Sequence, residues 1–563
     1  MGTGLGSLEV VTVDCQTTAA TPAGGSIIEL AWSTVTAADP DRPVTCFTLG
    51  LPPGGSVPGR ISAITGITDS DLRDGIGPAE GWWLLDAAMR APGGGWRTPV
   101  AHYGRFEKLW LEELRGRTDP GGDPPPDIVC TREIARRLYP DIPRKGLHAL
   151  SGYLGRTMPE MKRAADHVRA TSFVWSMMVP ELESLGVDSV DSLREWLCEP
   201  PPRKGRHRYS LPREARLGLP GAPGVYRFLG ADSRVLYVGK ATSLRQRVCS
   251  YFTRRRADEK TLELVTQVHG LRVTPCGSPL EAALLECRLI RRLRPPYNRA
   301  MKAGDESLWF CSGDSRSWST SPGPGCPFGP YPSRDVHERL AWLNDAATGK
   351  LPAGSADPAT LFFLDRATLE PGALEEGMSM AMDEFSAKGL SSSRHRVLLF
   401  GRELWQEMLM RREEAGGEEE DAEEGDEAGP APEESLYSAY DVKSRVMWTV
   451  AEAALLERRV RWFRLLAWSA VTWSQVFEGS VEGRFVVLRN GGVAGSGSGT
   501  PGPHVPPPIR PGIPVLTRSG YELLKVLTAE IRRLSAAGAD VAVHLPTGKV
   551  LSGEGLAGLL RMV

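Results

Sequence analysis

Two tyrosines, a lysine, an arginine and a glutamate in the middle of this sequence have the types and spacing needed to hydrolyse a phosphodiester. The segment GAPGVYRFLGADSRVLYVGKATSLRQRVCSYF, Gly221 to Phe252, reads as a strand GVYRF, a turn through Gly230 to Ser233 and a returning strand VLYVG. The hairpin brings Tyr226 within reach of Tyr237, and Gly239 lets the backbone turn tightly into a helix. On that helix Arg247 and Tyr251 are four residues apart and share a face. Further on, SPLEAALLECRLIRRLRPPYN reads as an amphipathic helix ending at Pro295 and Pro296, with Leu280 and Leu284 in its buried stripe and Glu286 as an acid within the apolar run. One carboxylate, Glu286, suffices for a single Mg²⁺ because that ion keeps most of its waters. Arg247 offers a fork of donors to phosphate oxygens as negative charge develops. Tyrosine is a weak base at its ordinary pKa, so Lys240 is expected to help Tyr226 or Tyr237 accept a proton.

These residues must be carried by a much larger chain. At 563 residues it is expected to hold three or four domains, and 41% hydrophobic with 24% charged residues is a globular composition. The net charge of -2 conceals opposed blocks. Between Arg203 and Gly304, 22 Lys and Arg face 7 Asp and Glu, whereas every charged residue from Glu413 to Glu434 is acidic. The nine Cys form no C-x-x-C pair and no His stands at ligand spacing, so neither zinc nor a disulfide framework is expected. No apolar run reaches the ~18 to 20 residues of a membrane span, and MGTGLGSLEV is not a signal region. The expectation is a cytoplasmic, bacterial-type, nucleoid-associated protein with no membrane partner.

The order of elements suggests six parts: 1–199 of alternating strands and helices, a basic Pro-rich linker 200–216, a nuclease-like module 217–304, a helical extension 305–412, an acidic linker 413–434 and a mixed α/β region 435–563. The C-terminal region reads as a helical stretch from Leu436 to Val476, a strand from Gly483 to Gly492 ending in an Asn-Gly turn, a flexible segment from Gly495 to Pro514, a helix from Gly520 to Ala537 and the hairpin ADVAVHLPTGKVLS. The tryptophans from Trp448 to Trp473 read as core rather than as base-stacking platforms.

The central module resembles the GIY-YIG nucleases, in their UvrC N-terminal branch, through Gly224-Val225-Tyr226, Tyr237-Val238-Gly239, Lys240, Arg247, Tyr251, Glu286 and Asn298. The phrase FGPYPS, Phe328 to Ser333, is similar to one that follows this module in UvrC. The resemblance implies that Tyr226 or Tyr237 activates water, Glu286 binds one Mg²⁺ or Mn²⁺, Arg247 steadies the phosphate, and Tyr251 and Asn298 support the site. Arg245, Arg254, Arg255, Arg256, Arg291 and Arg292 are expected to contact DNA phosphates. It further implies a DNA endonuclease of excision-type repair acting on damaged or distorted duplex, with a repair protein as loader. The cysteine cluster that UvrC uses for an iron–sulfur centre has no counterpart here, so no such cluster is expected.

The first block resembles the DEDDh exonucleases related to the DNA polymerase III epsilon subunit, through VVTVDCQTT, SIIELAW, ISAITGITDSDL, AHYGRFEKLWL and ARRLYPDIPRKGLHALSGYLG. A ribonuclease-H-like fold follows from that resemblance, and so does a site of four carboxylates, two metals and a histidine. Asp14 is present, but Gln16 and Glu107 stand where two further Asp or Glu ligands belong. In KRAADHVRAT one alignment puts Lys162 at the histidine and His167 at the last aspartate, and the other recovers Asp166 with Met161 at the histidine. The expectation is a degenerate exonuclease domain that binds or scaffolds rather than cuts.

Overall fold

A computed structural model describes residues 4–253, 258–298, 307–390, 394–414, 436–477, 480–499 and 516–561. The chain divides into two compact units, Met1–Lys302 and Ala303–Val563. Among the described residues no helix is long and apolar enough to cross a membrane.

The first unit opens with strands β1 (Val10–Thr17), β2 (Ile27–Val35), β3 (Thr45–Thr48), β4 (Thr98–Ala101) and β5 (Val129–Cys130). Their order is β3-β2-β1-β4-β5, antiparallel from β1 through β3 and parallel from β1 to β4 to β5. That mixed sheet is the ribonuclease-H-like arrangement expected for the front block. Both faces are covered, which is why β1 is buried along almost its whole length. Val11, Val13 and Cys15 pack with Trp82, Leu85, Trp110 and Leu111 of helices Pro78–Met89 and Gly104–Thr118. Val10 joins the core on helix Ala164–Ser184, and the Thr12 hydroxyl meets that of Ser172 at 2.8 Å. By the period-two alternation of a strand, Asp14 faces the same helix.

The second part of this unit is a three-stranded sheet with β6 (Gly224–Leu229) between β7 (Val235–Ala241) and β8 (Gly270–Pro275), all antiparallel. Helices Leu244–Thr253 and Glu259–Gln267 cover the face bearing Tyr226 and Phe228, and helix Pro279–Leu293 covers the face bearing Val225 and Val238. Strand β8 and helix Glu259–Gln267 complete the module beyond the elements read from the sequence. A Cβ at Gly224 would overlap the backbone of β8, so only glycine lets β6 sit this close.

The front domain and this module pack together. His148 Nδ1 lies 2.8 Å from Glu263 Oε1, the Arg144 backbone N–H donates to the Thr266 hydroxyl at 3.2 Å, and the Thr157 hydroxyl donates to Asp232 at 3.0 Å. The basic Pro-rich segment is pinned rather than free: Gly205 N–H donates to the Asp141 carboxylate at 2.6 Å and Arg208 N–H to the Asp141 carbonyl at 3.0 Å.

In the second unit, β9 (Trp309–Cys311), β10 (Trp318–Ser319) and β11 (Phe328–Tyr331) form a small antiparallel sheet. Buried Tyr331 donates to Glu457, which also pairs with Arg394 at 3.1 Å. The stretch read as helical to Val476 is helix Ala439–Leu466 followed by β12 (Ala470–Phe477). Alternating Val471 and Trp473 on a buried face suit a strand, and Trp462 and Trp473 are core residues. The final sheet has the order β14-β13-β12-β15-β16, with β13 (Ser480–Arg489), β14 (Gly492–Ser498), β15 (Val541–His544) and β16 (Val550–Ser552), all antiparallel. Asn490 and Gly491, both at positive φ, make the turn into β14, so the start of the segment read as flexible is a strand. Apart from Glu413 and Glu414, which end helix Arg394–Glu414, the acidic linker lies outside the described residues.

Candidate active site

The outer edge of β7 organises the central constellation. Strand β7 is the end strand of its sheet, and on the side away from β6 its backbone groups need other partners. Asn298 supplies them at Val238: its Oδ1 accepts from the Val238 N–H at 2.9 Å and its Nδ2 donates to the Val238 carbonyl at 2.8 Å. Two residues on, where the same edge presents the next N–H, Lys240 N–H donates to Glu286 Oε1 at 2.8 Å. The strand edge therefore fixes the carboxylate of helix Pro279–Leu293 beside Tyr237. The Glu286 charge opposes ionisation of that phenol.

Around this edge stand three tyrosines. Ring centroids of Tyr226, Tyr237 and Tyr251 are 6.0 to 6.1 Å apart, and the Tyr226 and Tyr251 hydroxyls share a hydrogen bond of 2.9 Å. Tyr226 is fully buried, while Tyr237 and Tyr251 are half-buried. A Cβ at Gly239, the β7 residue paired with Tyr226 of β6, would overlap the Tyr226 ring and hydroxyl, so the glycine makes room for the phenol. Arg247 lies with its guanidinium carbon 5.4 Å from the Tyr251 ring centroid.

Burial, reinforced by the neighbouring tyrosines, pushes the Tyr226 phenol well above its ordinary pKa; Tyr237 is raised by burial and by Tyr251. Arg247 opposes both shifts as a smaller influence. The expectation that a lysine eases ionisation of these phenols meets a different arrangement. Both shifts run upward, and Lys240 donates its backbone N–H to Glu286. Burial thus favours the neutral form of both phenols, and the Tyr226–Tyr251 hydrogen bond is a path along which a proton can pass.

The donor set fits a hard divalent cation. At the β7 edge the carboxylate on offer is Glu286, held by the Lys240 N–H. Such a site suits a cation that retains water ligands.

Of the arginines expected at DNA, Arg254, Arg255 and Arg256 lie outside the described residues. Arg292 is exposed and Arg291 half-buried on helix Pro279–Leu293. Arg245 is exposed, but its Nε donates to the Leu219 carbonyl at 2.7 Å, which ties the helix start to the preceding loop.

Tyr297 was not singled out by sequence reasoning. Its hydroxyl donates to Glu263 at 2.7 Å and meets His148 Nδ1 of the front domain at 3.0 Å. Its backbone N–H donates to the Leu236 carbonyl at 3.0 Å. No local signal marks it, because His148 is distant in sequence.

The front domain brings Asp14, Gln16, Glu107 and His167 together in a different way. His167 Nδ1 is 3.2 Å from Asp14 Oδ1, and Gln16 Nε2 donates to Asp14 Oδ2 at 3.1 Å. Asp166 points elsewhere and pairs with Arg169 at 3.1 Å, and Lys162 lies 3.6 Å from Glu160. Of the two alignments, the structure follows the one that puts His167 in place of the last aspartate. Burial, then the Asp14 charge, pushes the Glu107 carboxyl well above the carboxylate range, and its Oε2 is buried without a hydrogen-bond partner. Burial also raises Asp14 against the opposing effect of His167. Burial disfavours charge on His167, but the hydrogen bond to Asp14, the Asp14 charge, the Met161 backbone and the Asp166 charge together raise its pKa.

Residues 222–299 match the family model described as the UvrC-like GIY-YIG domain. A putative bifunctional exonuclease/endonuclease protein of Mycobacterium tuberculosis is 30% identical over 311 residues, covering 54% of this chain and 46% of that protein. UvrABC system protein C of Psychrobacter arcticus is 39% identical over 139 residues, covering 23% of this chain and 22% of that protein. The chain thus spans less than half the length of these curated relatives. A crystal structure of the GIY-YIG N-terminal endonuclease domain of UvrC from Thermotoga maritima, bound to magnesium as its catalytic divalent cation, is 34% identical; the match covers 15% of this chain and 93% of that one, with a TM-score of 0.14. Residues 222–299 thus form a UvrC-like GIY-YIG domain.

Proposed function

We propose that this protein is a metal-dependent DNA endonuclease whose cutting site is the Glu286 edge of β7, and that its front domain is catalytically silent. The observation that carries the reading is the Lys240 N–H to Glu286 bond at 2.8 Å, which holds one carboxylate beside three tyrosines and an arginine. Glu286 would hold a Mg²⁺ or Mn²⁺ ion, which when bound supplies Lewis-acid polarisation of the scissile phosphate. Arg247 presents its guanidinium to the phosphate oxygens, where it offsets charge as the phosphorus becomes five-coordinate. Tyr237 or Tyr226 orients the attacking water; where Tyr226 takes up its proton, the Tyr226 phenol proton passes to Tyr251 and the Tyr251 proton to solvent at its exposed edge, so the phenol need not ionise beforehand. Asn298 contributes by holding β7, and through it Tyr237 and the Lys240 N–H, in register.

The biological setting we propose is excision-type repair in the cytoplasm at the nucleoid, with damaged or distorted duplex as substrate and a repair protein as loader. The UvrC-like module and the relative named UvrABC system protein C support this reading. Silence of the front domain rests on the engagement of Asp14 by His167 and Gln16 and on Gln16 standing where a further acid belongs, which leaves buried Glu107 beside Asp14 instead of a set of four carboxylates for two metals.

End-labelled duplexes, intact and carrying one bulky lesion, test this proposal when incubated with Mg²⁺ or Mn²⁺. Internal cuts close to the lesion, absent from Glu286→Ala, are expected. Stepwise shortening from 3′ ends by both proteins would reject the assignment.

A further inference from the structure

The first unit contains a cleft of about 620 Å³ whose lining includes none of Asp14, Glu107, His167, Glu286 or the site tyrosines. Helix Thr131–Leu138 contributes Arg132 and Arg136, the following turn contributes Arg144 and Lys145, and the segment leading to the nuclease module contributes Lys204. Tyr103, half exposed, completes this wall, with the Arg132 guanidinium 5.2 Å from its ring centroid.

Two carboxylates also line the cleft, and each is already engaged. Glu259 pairs with Arg144 at 2.5 Å, and Glu263 accepts from Tyr297 at 2.7 Å and meets His148 at 2.8 Å. Arg132 and Lys204 pair with no carboxylate among the described residues. Lys145 is held in place by donating to the Pro140 and Ile142 carbonyls, both at 3.0 Å. Burial, then the charge of Lys204, pulls its ammonium down to about 8, with Arg136 and Arg132 adding to the repulsion and Asp141 opposing it. An anion in the cleft would relieve that crowding.

We infer that this cleft binds the sugar–phosphate backbone of single-stranded DNA, with Arg132, Arg136 and Lys204 on the phosphates and a base stacked against Tyr103. A concave row of cations beside an exposed aromatic ring suits an unpaired strand, whose bases are free to stack, better than a duplex, whose bases are not. Lys204 belongs to the segment joining the two modules, and Glu259 and Glu263 to the nuclease module itself, so the cleft exists because the modules are packed together. The proposal goes beyond the cleavage reading and does not depend on it.

Anisotropy of a labelled oligothymidylate of roughly ten nucleotides, titrated with the full chain in EDTA, tests the inference without cleavage. Arg132→Glu combined with Lys204→Glu is expected to weaken binding at least tenfold and to flatten the salt dependence by about 1.4 in log–log slope, two phosphate contacts at ~0.7 each. Tyr103→Ala should weaken it roughly fivefold or more. Lys204→Ala, a change at an exposed position, checks that the effect is not misfolding and should weaken binding by roughly threefold. Unchanged strand affinity in the double variant would overturn the proposal, as would a loss confined to duplex DNA. Displacement of the oligonucleotide by polyglutamate at equal charge would also overturn it, because the cleft would then be a general polyanion site.

Discussion

The edge of β7 and the end of β1 both gather acids and polar groups at a strand, and they treat them in opposite ways. At β7 the backbone does the holding. Asn298 and Glu286 are each bound by a strand N–H, and the phenols and Arg247 are arranged around them. At β1 the side chains satisfy one another: Asp14 is taken by His167 and Gln16, Asp166 by Arg169, and Glu107 lies in an environment that favours its neutral form. A nuclease fold is therefore not evidence of a nuclease site. What distinguishes the two regions is whether the acid is held by strand N–H groups or is paired with and crowded by other side chains.

The sharpest break of this contrast comes from Arg247. Replacing it with Ala should reduce the single-turnover cutting rate by about 10² to 10³-fold, the range for losing one group that stabilises transition-state charge. Loss of binding with unchanged single-turnover rate would instead make it an anchoring residue. Tyr226→Phe should slow cutting by about 10²-fold through loss of the proton relay to Tyr251. The comparison weakens if that variant cuts at the wild-type rate. A smaller effect is expected of Asn298→Ala, which leaves the Val238 N–H and carbonyl without their partner. Denaturant unfolding should show a loss of about 1–3 kcal/mol, accompanied by slower cutting.

The front domain supplies the mildest test, through pH. Glu107 has a folded pKa raised above its ordinary 4.5, so the fold favours its protonated form. That preference contributes stability in full below the unfolded pKa and is lost progressively as pH rises toward the folded value. Glu107→Gln, which cannot ionise, should therefore stabilise the protein at neutral pH by about 1–3 kcal/mol. The gain should vanish near pH 4, as thermal melts across the range would register.

Much of this contrast was legible in the sequence, for reasons that differ by residue. Tyr226, Tyr237, Gly239 and Arg247 lie within one hairpin and the helix after it, where spacing in the chain is spacing in space. That Gln16 brings no charge beside Asp14 was legible too, because an amide cannot ionise. The choice between Asp166 and His167 was not, since neighbouring residues of one helix differ by about 100° in direction and only the docked helix decides. Tyr297 and the wall of cations beside Tyr103 were hidden because their partners come from segments far apart in sequence. The strand β12 was hidden by its continuity with the Trp- and Arg-rich helix before it, where apolar spacing alone does not separate the two periods.

The central claim is that Glu286, and not Asp14, belongs to the cutting centre. The most direct measurement compares wild type, Glu286→Ala and Asp14→Ala on one internally labelled lesion duplex with Mg²⁺. Internal cutting by wild type and Asp14→Ala, with none from Glu286→Ala, is the predicted result. Cutting that survives Glu286→Ala and disappears in Asp14→Ala would contradict the account and place the active site in the front domain.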